Sequence, residues 1–335
     1  MSDSEQKLRQ AMMKIAEVAQ AAVDNGRDMD EDNGKPYGET ARRPHTHAGG
    51  KNAQCSIKQL PGRLTEKAAK TAMSINPVNR VNFGPMGAVA RGLVLSPAAI
   101  AVLVGKYWGK QPRRLTVSFM DGGLSDLRRR IIAHMNAWNQ TAGVSFVETR
   151  GVGKVRISRN QPGYSSYLGT DILHIPNNRA TLNLQGFTMN TDEREYRRVV
   201  RHEAGHTLGF PHEHMREELV ALIDPEKAYD FFLRTQGWSR EMVDQQVLTP
   251  LSEDSIMGTP PDQDSIMCYQ LPGSITKDGQ PIRGGLDINA TDHTFAGDIY
   301  PKVAHEVAPS IQAEMGLADE WSPSEDVEVD EELVQ

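Results

Sequence analysis

The stretch HEAGHTLGFPHEH, residues 202–214, holds four histidines and two glutamates in thirteen residues. The residues before it, EREYRRVVR (193–201), are good helix formers. Positions i and i+4 of a helix share a face. His202 and His206 therefore point the same way and can offer two imidazole nitrogens to one ion. Glu203, beside the first of them, can reach a water on that ion without itself ligating. Gly209 is the residue type that ends a helix in a left-handed turn, and Pro211 stiffens the return. The chain then doubles back and brings His212 to the same point as a third ligand. Three neutral imidazoles leave a fourth position open, which is the pattern of a catalytic zinc site and not of a structural one. His214 is predicted to point elsewhere. The bland alternative is a histidine-rich surface helix end. The extended pattern H-E-x-x-H-x-x-G-x-x-H fixes five positions, and that specificity favours the metal.

Downstream, DSIMCYQ places Met267 and Tyr269 some 55 residues beyond His212. A methionine in a tight apolar turn is by itself ordinary core. Paired with the histidine pattern, it resembles the Met-turn of the metzincin clan, in which Met267 packs beneath the imidazoles. HEAGHTLGFPHEHMRE, with Phe210, Glu213 and Arg216, and SIMCY at 265–269 together resemble the astacin-type zinc metallopeptidases. GYSSYLGTDIL (163–173) and LDINATDHTFAGDIYP (286–301) are similar to bacterial members. Cys268 stands where that family usually has histidine.

The resemblance implies an α+β fold of two lobes. A twisted mixed sheet with a backing helix (125–138) and the active-site helix (192–208) forms the upper lobe. The lower lobe is irregular and ends in a C-terminal helix, with one zinc ion per chain in the cleft. It implies a zinc-dependent endopeptidase acting on protein or peptide substrates through a zinc-bound water that Glu203 activates. Tyr269 matches the family's swinging tyrosine, a fifth ligand and transition-state donor. An extended substrate is expected along an edge strand within 181–187, although that segment also reads as an ordinary sheet strand. Glu213 can, in this family, anchor a mature N-terminus. Two other classes compete: a catalytically silent zinc-bound interaction module, and a zinc hydrolase of non-peptide substrates. Glu203 argues against the first, since a binding module has no use for a general base. The resemblance argues against the second, since it implies an open cleft where such a hydrolase would need a closed pocket.

The rest of the 335 residues divides around this core. Residues 1–52 read as an N-terminal helix (5–24) and a polar, Gly-rich linker, and 53–104 as a pro-like or accessory segment. The catalytic domain is expected over 105–303, and 304–335 as an acidic, unstructured tail. Eight acids and no base lie between Asp319 and Gln335, so the net charge of −7 is about +1 without them. No dense basic stripe with interleaved aromatics calls for nucleic acid. The most apolar run, LVLSPAAIAVLVG (93–105), is too short to span a bilayer. The first twenty residues lack the apolar run of a signal peptide. A chain that is cytoplasmic or exported by a non-classical route is expected. Two cysteines exclude a disulfide-built scaffold. Cys55 has two readings: an inert buried thiol, the common state of free cysteine, or a zinc ligand that caps the open position and keeps the enzyme latent.

Periodicity predicts helices at 64–75, 96–108, 125–138, 191–209, 226–234, 239–247 and 291–300. Strands are expected at 115–120, 144–148, 154–158, 171–175 and 181–187.

Overall fold

A computed structural model describes residues 55–80, 104–250 and 260–302. The N-terminal helix and linker, most of the 96–108 segment and the acidic tail lie outside the described residues.

The described strands form one sheet in the order β1-β5-β6-β4-β2-β3: β1 (Cys55–Lys58), β2 (Arg113–Phe119), β3 (Val144–Glu148), β4 (Val155–Ser158), β5 (Tyr164–Tyr167) and β6 (Leu182–Leu184). β3, β2, β4 and β6 run parallel. β5 turns against β6, and β1 runs parallel to β5 as the outermost strand on that side. Leu115, Val117, Val155 and Ile157 are fully buried because helices cover the inner strands. The segment 181–187 therefore does not provide an edge. β6 lies between β5 and β4, and the edge it was expected to offer belongs to β5, which β1 covers.

α2 (Ser125–Met135) buries Leu127, Ile131 and Met135 on one stripe and continues as a 3₁₀ segment, Asn136–Gln140, that buries Trp138. These join Phe210, Met267 and the β-strand residues in the upper core. A separate cluster forms the lower lobe. Phe232 of α4 (Pro225–Gln236), Val243 of α5 (Arg240–Val243), Leu271, Ile275 and Ile282 pack there with Tyr269 and Cys55. α4 is set by local chemistry: Asp224 accepts from the Lys227 N–H at 3.2 Å, Pro225 opens the first turn, and Gly237 closes the helix at φ 70°. α6 (Ala290–Ile299) ends the described chain and carries Ala296 and Ile299 into the upper core. Among the described residues no helix is long and apolar enough to cross a membrane.

α1 (Gly62–Ile75) forms as its periodicity predicts, with Ala68, Ala69 and Ala72 buried. Two predictions give way to tertiary bonding. Residues 104–108 are not helical, because their backbone is satisfied laterally. The Tyr107 N–H donates to Asn79 Oδ1 at 2.9 Å, and the Lys106 carbonyl accepts from the Thr170 N–H at 3.0 Å. Residues 171–175 are not a strand either. Gly169–His174 is a 3₁₀ helix, and buried Ile172 and Ile175 follow its period of three. Gly169 sits at φ 48°, where an added Cβ would lie 1.8 Å from the Lys106 carbonyl oxygen.

Candidate metal centre and active site

The helix bearing the first two histidines begins with the short turn Glu193–Glu195, passes through a π segment, Tyr196–Val200, and continues as α3 (Arg201–Leu208). Its C-terminus is pinned in two ways. Gly209 takes φ 98°; its N–H donates to the His206 carbonyl at 2.8 Å, and the Phe210 N–H donates to the Gly205 carbonyl at 3.0 Å, a Schellman closure. Two carbonyls a helix end leaves unpaired are then taken by aromatic donors. Trp108 Nε1–H donates to the Thr207 carbonyl at 2.9 Å, and the Tyr300 hydroxyl donates to the Leu208 carbonyl.

The Gly209 turn returns His212 to α3 as its sequence predicts. The His202, His206 and His212 rings lie 4.6–5.4 Å apart, centroid to centroid, and all three are buried. His202 Nδ1–H donates to the Ile266 carbonyl at 2.6 Å, and His206 Nδ1–H donates to the Phe210 carbonyl at 2.7 Å. Each bond fixes the tautomer that turns a bare Nε2 inward. His202 Nε2 is buried with no hydrogen-bond partner among the described residues. His206 Nε2 and His212 Nε2 face each other at 3.0 Å. Two nitrogens on one tetrahedral zinc would be about 3.3 Å apart, given Zn–N bonds of about 2.0–2.1 Å. The donor set fits zinc. Burial holds the imidazoles neutral, which is the ligating form: His202 is pulled down to about 4, and His206 and His212 fall well below the usual value.

A fourth donor completes the group. One ligand atom from each of Cys55, His202, His206 and His212 lies within 4.8 Å of all the others. Cys55 is free, as is buried Cys268, and the two are not bridged. Burial pushes the Cys55 thiol up, with the Glu203 carboxyl adding to the effect. Glu203 is fully buried, with the Cys55 thiol against its carboxyl. Desolvation raises its carboxyl to about 8, with the Cys55 thiol and then Arg198 pulling the other way.

Tyr269 is buried, and its hydroxyl donates to the Cys55 main-chain carbonyl. His214 points away from the common point, as expected. Its Nε2–H donates to the Gln246 carbonyl at 2.9 Å, its Nδ1 accepts from the Tyr269 N–H at 3.3 Å, and its ring stacks on Tyr269 at 4.1 Å. Glu213 pairs with Arg216 and accepts from the Asp262 N–H at 3.0 Å.

Sequence reasoning missed what holds the Met-turn. Asp292 is the third residue of α6 and forms a capping box with Asn289. The same carboxylate accepts from the Ser265 hydroxyl at 2.6 Å and the Ile266 N–H at 2.9 Å. The Ile266 carbonyl then orients His202. The signal was the local N-x-x-D pattern, which announces the cap but not the second use. Met267 packs against the open face of Gly205, where an added Cβ would lie 2.4 Å from its sulfur and 3.1 Å from Trp138. Gly205→Ala is therefore expected to lower stability by about 1–3 kcal/mol through overpacking. A denaturant midpoint measures that loss, and zinc retention during dialysis should fall with it, since Gly205 lies between two ligands.

A histidine trio on a helix and its return loop, a Met-turn packed against that helix, and a sheet of this order define a zinc metallopeptidase of the metzincin type. The astacin family model (peptidase family M12A) matches residues 106–280, and the chain belongs to that family. Among solved structures it is similar to myroilysin, at 28% identity and a TM-score of 0.55, over 59% of this chain and 97% of that one. It is also similar to high choriolytic enzyme 1, a hatching enzyme zinc-protease from Oryzias latipes (medaka fish), at 20% identity and a TM-score of 0.39. That match covers 56% of this chain and 88% of the other. No curated protein matches the sequence.

Proposed function

We propose that this chain is a zinc endopeptidase in a self-blocked state, with His202, His206 and His212 as the catalytic zinc ligands and Cys55 as a removable fourth. The observation that carries this reading is the convergence of one thiol and three imidazoles on a single buried point. A catalytic zinc site keeps one position open, and here a segment from outside the matched family region fills it. Burial opposes ionisation of a lone thiol, but a coordinating thiol is deprotonated outright.

When bound, zinc supplies Lewis acidity to the attacking water and to the scissile carbonyl. Glu203 then takes the proton of the attacking water onto its carboxylate and passes it to the departing amine nitrogen as the C–N bond breaks. With β1 gone, the Tyr269 hydroxyl loses its acceptor on Cys55 and is free to donate to the developing oxyanion. An extended peptide replaces β1 along the edge of β5, pairing main chain to main chain. A protein kept only as a zinc-bound interaction module would gain nothing from Glu203, a fully buried carboxyl whose desolvation costs stability.

The deciding experiment is metal exchange on the full chain after limited trypsin treatment, with the trypsin quenched. One zinc per chain and casein cleavage are expected. Chelation should abolish cleavage, and stoichiometric zinc should restore it. Cleavage that survives thorough chelation, or a chain that retains no zinc, defeats the reading.

A further inference from the structure

The blocking strand is gripped from two sides, and the second grip has a use beyond blocking. On one side β1 pairs with β5 in the register Cys55↔Tyr164 to Lys58↔Tyr167. In a strand, successive residues present their N–H and C=O to opposite sides. Ile57 turns its pair away from β5, toward the lower lobe. There the Ile57 N–H donates to Gln246 Oε1 at 2.9 Å, and Gln246 Nε2–H donates to the Ile57 carbonyl at 3.1 Å. One side-chain amide thus does what a residue of a neighbouring strand would do. Gln246 is only 2% exposed and lies in the π segment Asp244–Leu248 after α5. Its backbone is fixed by the His214 bond to its carbonyl, and His214 follows the third imidazole by two residues. The amide is therefore held in register with the metal point.

Once β1 leaves, this buried donor and acceptor face an open groove with no partner, a costly state. The natural replacement is the main chain of the next strand to enter. We propose that Gln246 is a substrate-positioning residue. Its amide clasps the N–H and C=O of one residue of an extended peptide lying along β5. That residue lies about two positions from the one at the metal point, as Ile57 lies from Cys55. Turning the amide over exchanges Oε1 and Nε2, so the clasp accepts a peptide running in either direction. Because it reads backbone and not side chain, it selects extended conformation over sequence. The inference rests on the endopeptidase reading of the cleft, and its test separates the two.

The probe is a fluorescent peptide that the trypsin-treated full chain cleaves, together with versions N-methylated at one backbone nitrogen at a time. Binding is read by anisotropy in the Glu203→Gln background, where no turnover is needed, and kcat and KM are read in the active enzyme. At one nitrogen about two positions from the scissile bond, N-methylation should weaken binding about tenfold, as one lost hydrogen bond in a desolvated groove implies. In Gln246→Met, which fills the space without hydrogen-bonding, the same N-methyl group should cost less than about twofold. The loss in active Gln246→Met should fall on KM. Hydrogen exchange on the untreated chain gives a readout free of activity. The Ile57 amide should exchange about tenfold faster in Gln246→Met, with β4 and β6 amides unchanged if the fold is intact. An N-methyl penalty that persists in Gln246→Met, or no sensitive nitrogen in that part of the peptide, overturns the clasp. Failure of the wild type to cleave any peptide instead counts against the endopeptidase reading, and an Ile57 amide that exchanges no faster in Gln246→Met still overturns the clasp.

Discussion

Glu203→Ala should lower kcat on casein or a peptide by about 10³-fold, within the range of about 10²–10⁴ for a positioned general base. Zinc content should remain at one per chain. The separation of the two readouts follows from the geometry. Glu203 shares α3 with His202 but contributes no atom to the cluster of converging donors. Its carboxyl is buried against the Cys55 thiol, so its removal disturbs that contact but none of the bonds that orient His202 and His206. The variant should also be no less stable than the parent, because desolvation of the carboxyl, which raises it to about 8, costs folding free energy. Steady-state kinetics beside metal analysis and a thermal melt check all three statements. A variant that retains a tenth or more of the parent kcat would remove Glu203 from the proton transfer.

The second large effect has the opposite sign. Cys55→Ala should raise the activity of the untreated full chain on the order of tenfold to a hundredfold, corresponding to about 1.4–2.8 kcal/mol of blocking lost. The thiol is one of four donors at the buried point, and alanine offers the metal nothing there. The gain should be partial. β1 retains its pairing with β5 and its bonds to Gln246 in the variant. Once trypsin has removed the segment, parent and variant should be indistinguishable, because Cys55 has then left both. Progress curves on casein before and after treatment provide the comparison. Equal activity of the two untreated chains would show that the thiol is a bystander and that latency, if present, comes from strand pairing alone.

The convergence of the three histidines was legible in the sequence because it is local. Two histidines at i and i+4, a glycine able to take φ 98° and a third histidine three residues later specify a metal-binding arrangement with little help from the rest of the chain. The elements that frame the cleft were not legible. β5 is YSSY, with Ser165 and Ser166 buried at its centre, so it lacks the apolar alternation that marks a strand. β1 is four residues long, and its identity comes from the partner it joins. The pattern around Ile172 and Ile175 fitted a strand as well as a 3₁₀ turn, and only the approach of Lys106 decides between them. Gln246 adjoins another glutamine in DQQVL, and nothing in that string distinguishes the one that bonds β1. Cys55 shows the same limit from the other direction. A thiol 147 positions before the first histidine could be inert or ligating, and only the fold brings it to the histidines.

The hydroxyl of Tyr300 has a consequence for anyone who trims this chain. It accepts from the Trp108 N–H at 3.1 Å and donates to the last carbonyl of α3, the helix that carries His202 and His206. It therefore fastens Trp108, the C-terminus of α3 and the end of α6 at one atom. The family match stops at residue 280. A version cut at that point would discard Asp292 as well, and with it the tether of the loop that aligns His202. The shortest workable enzyme therefore extends past the tyrosine.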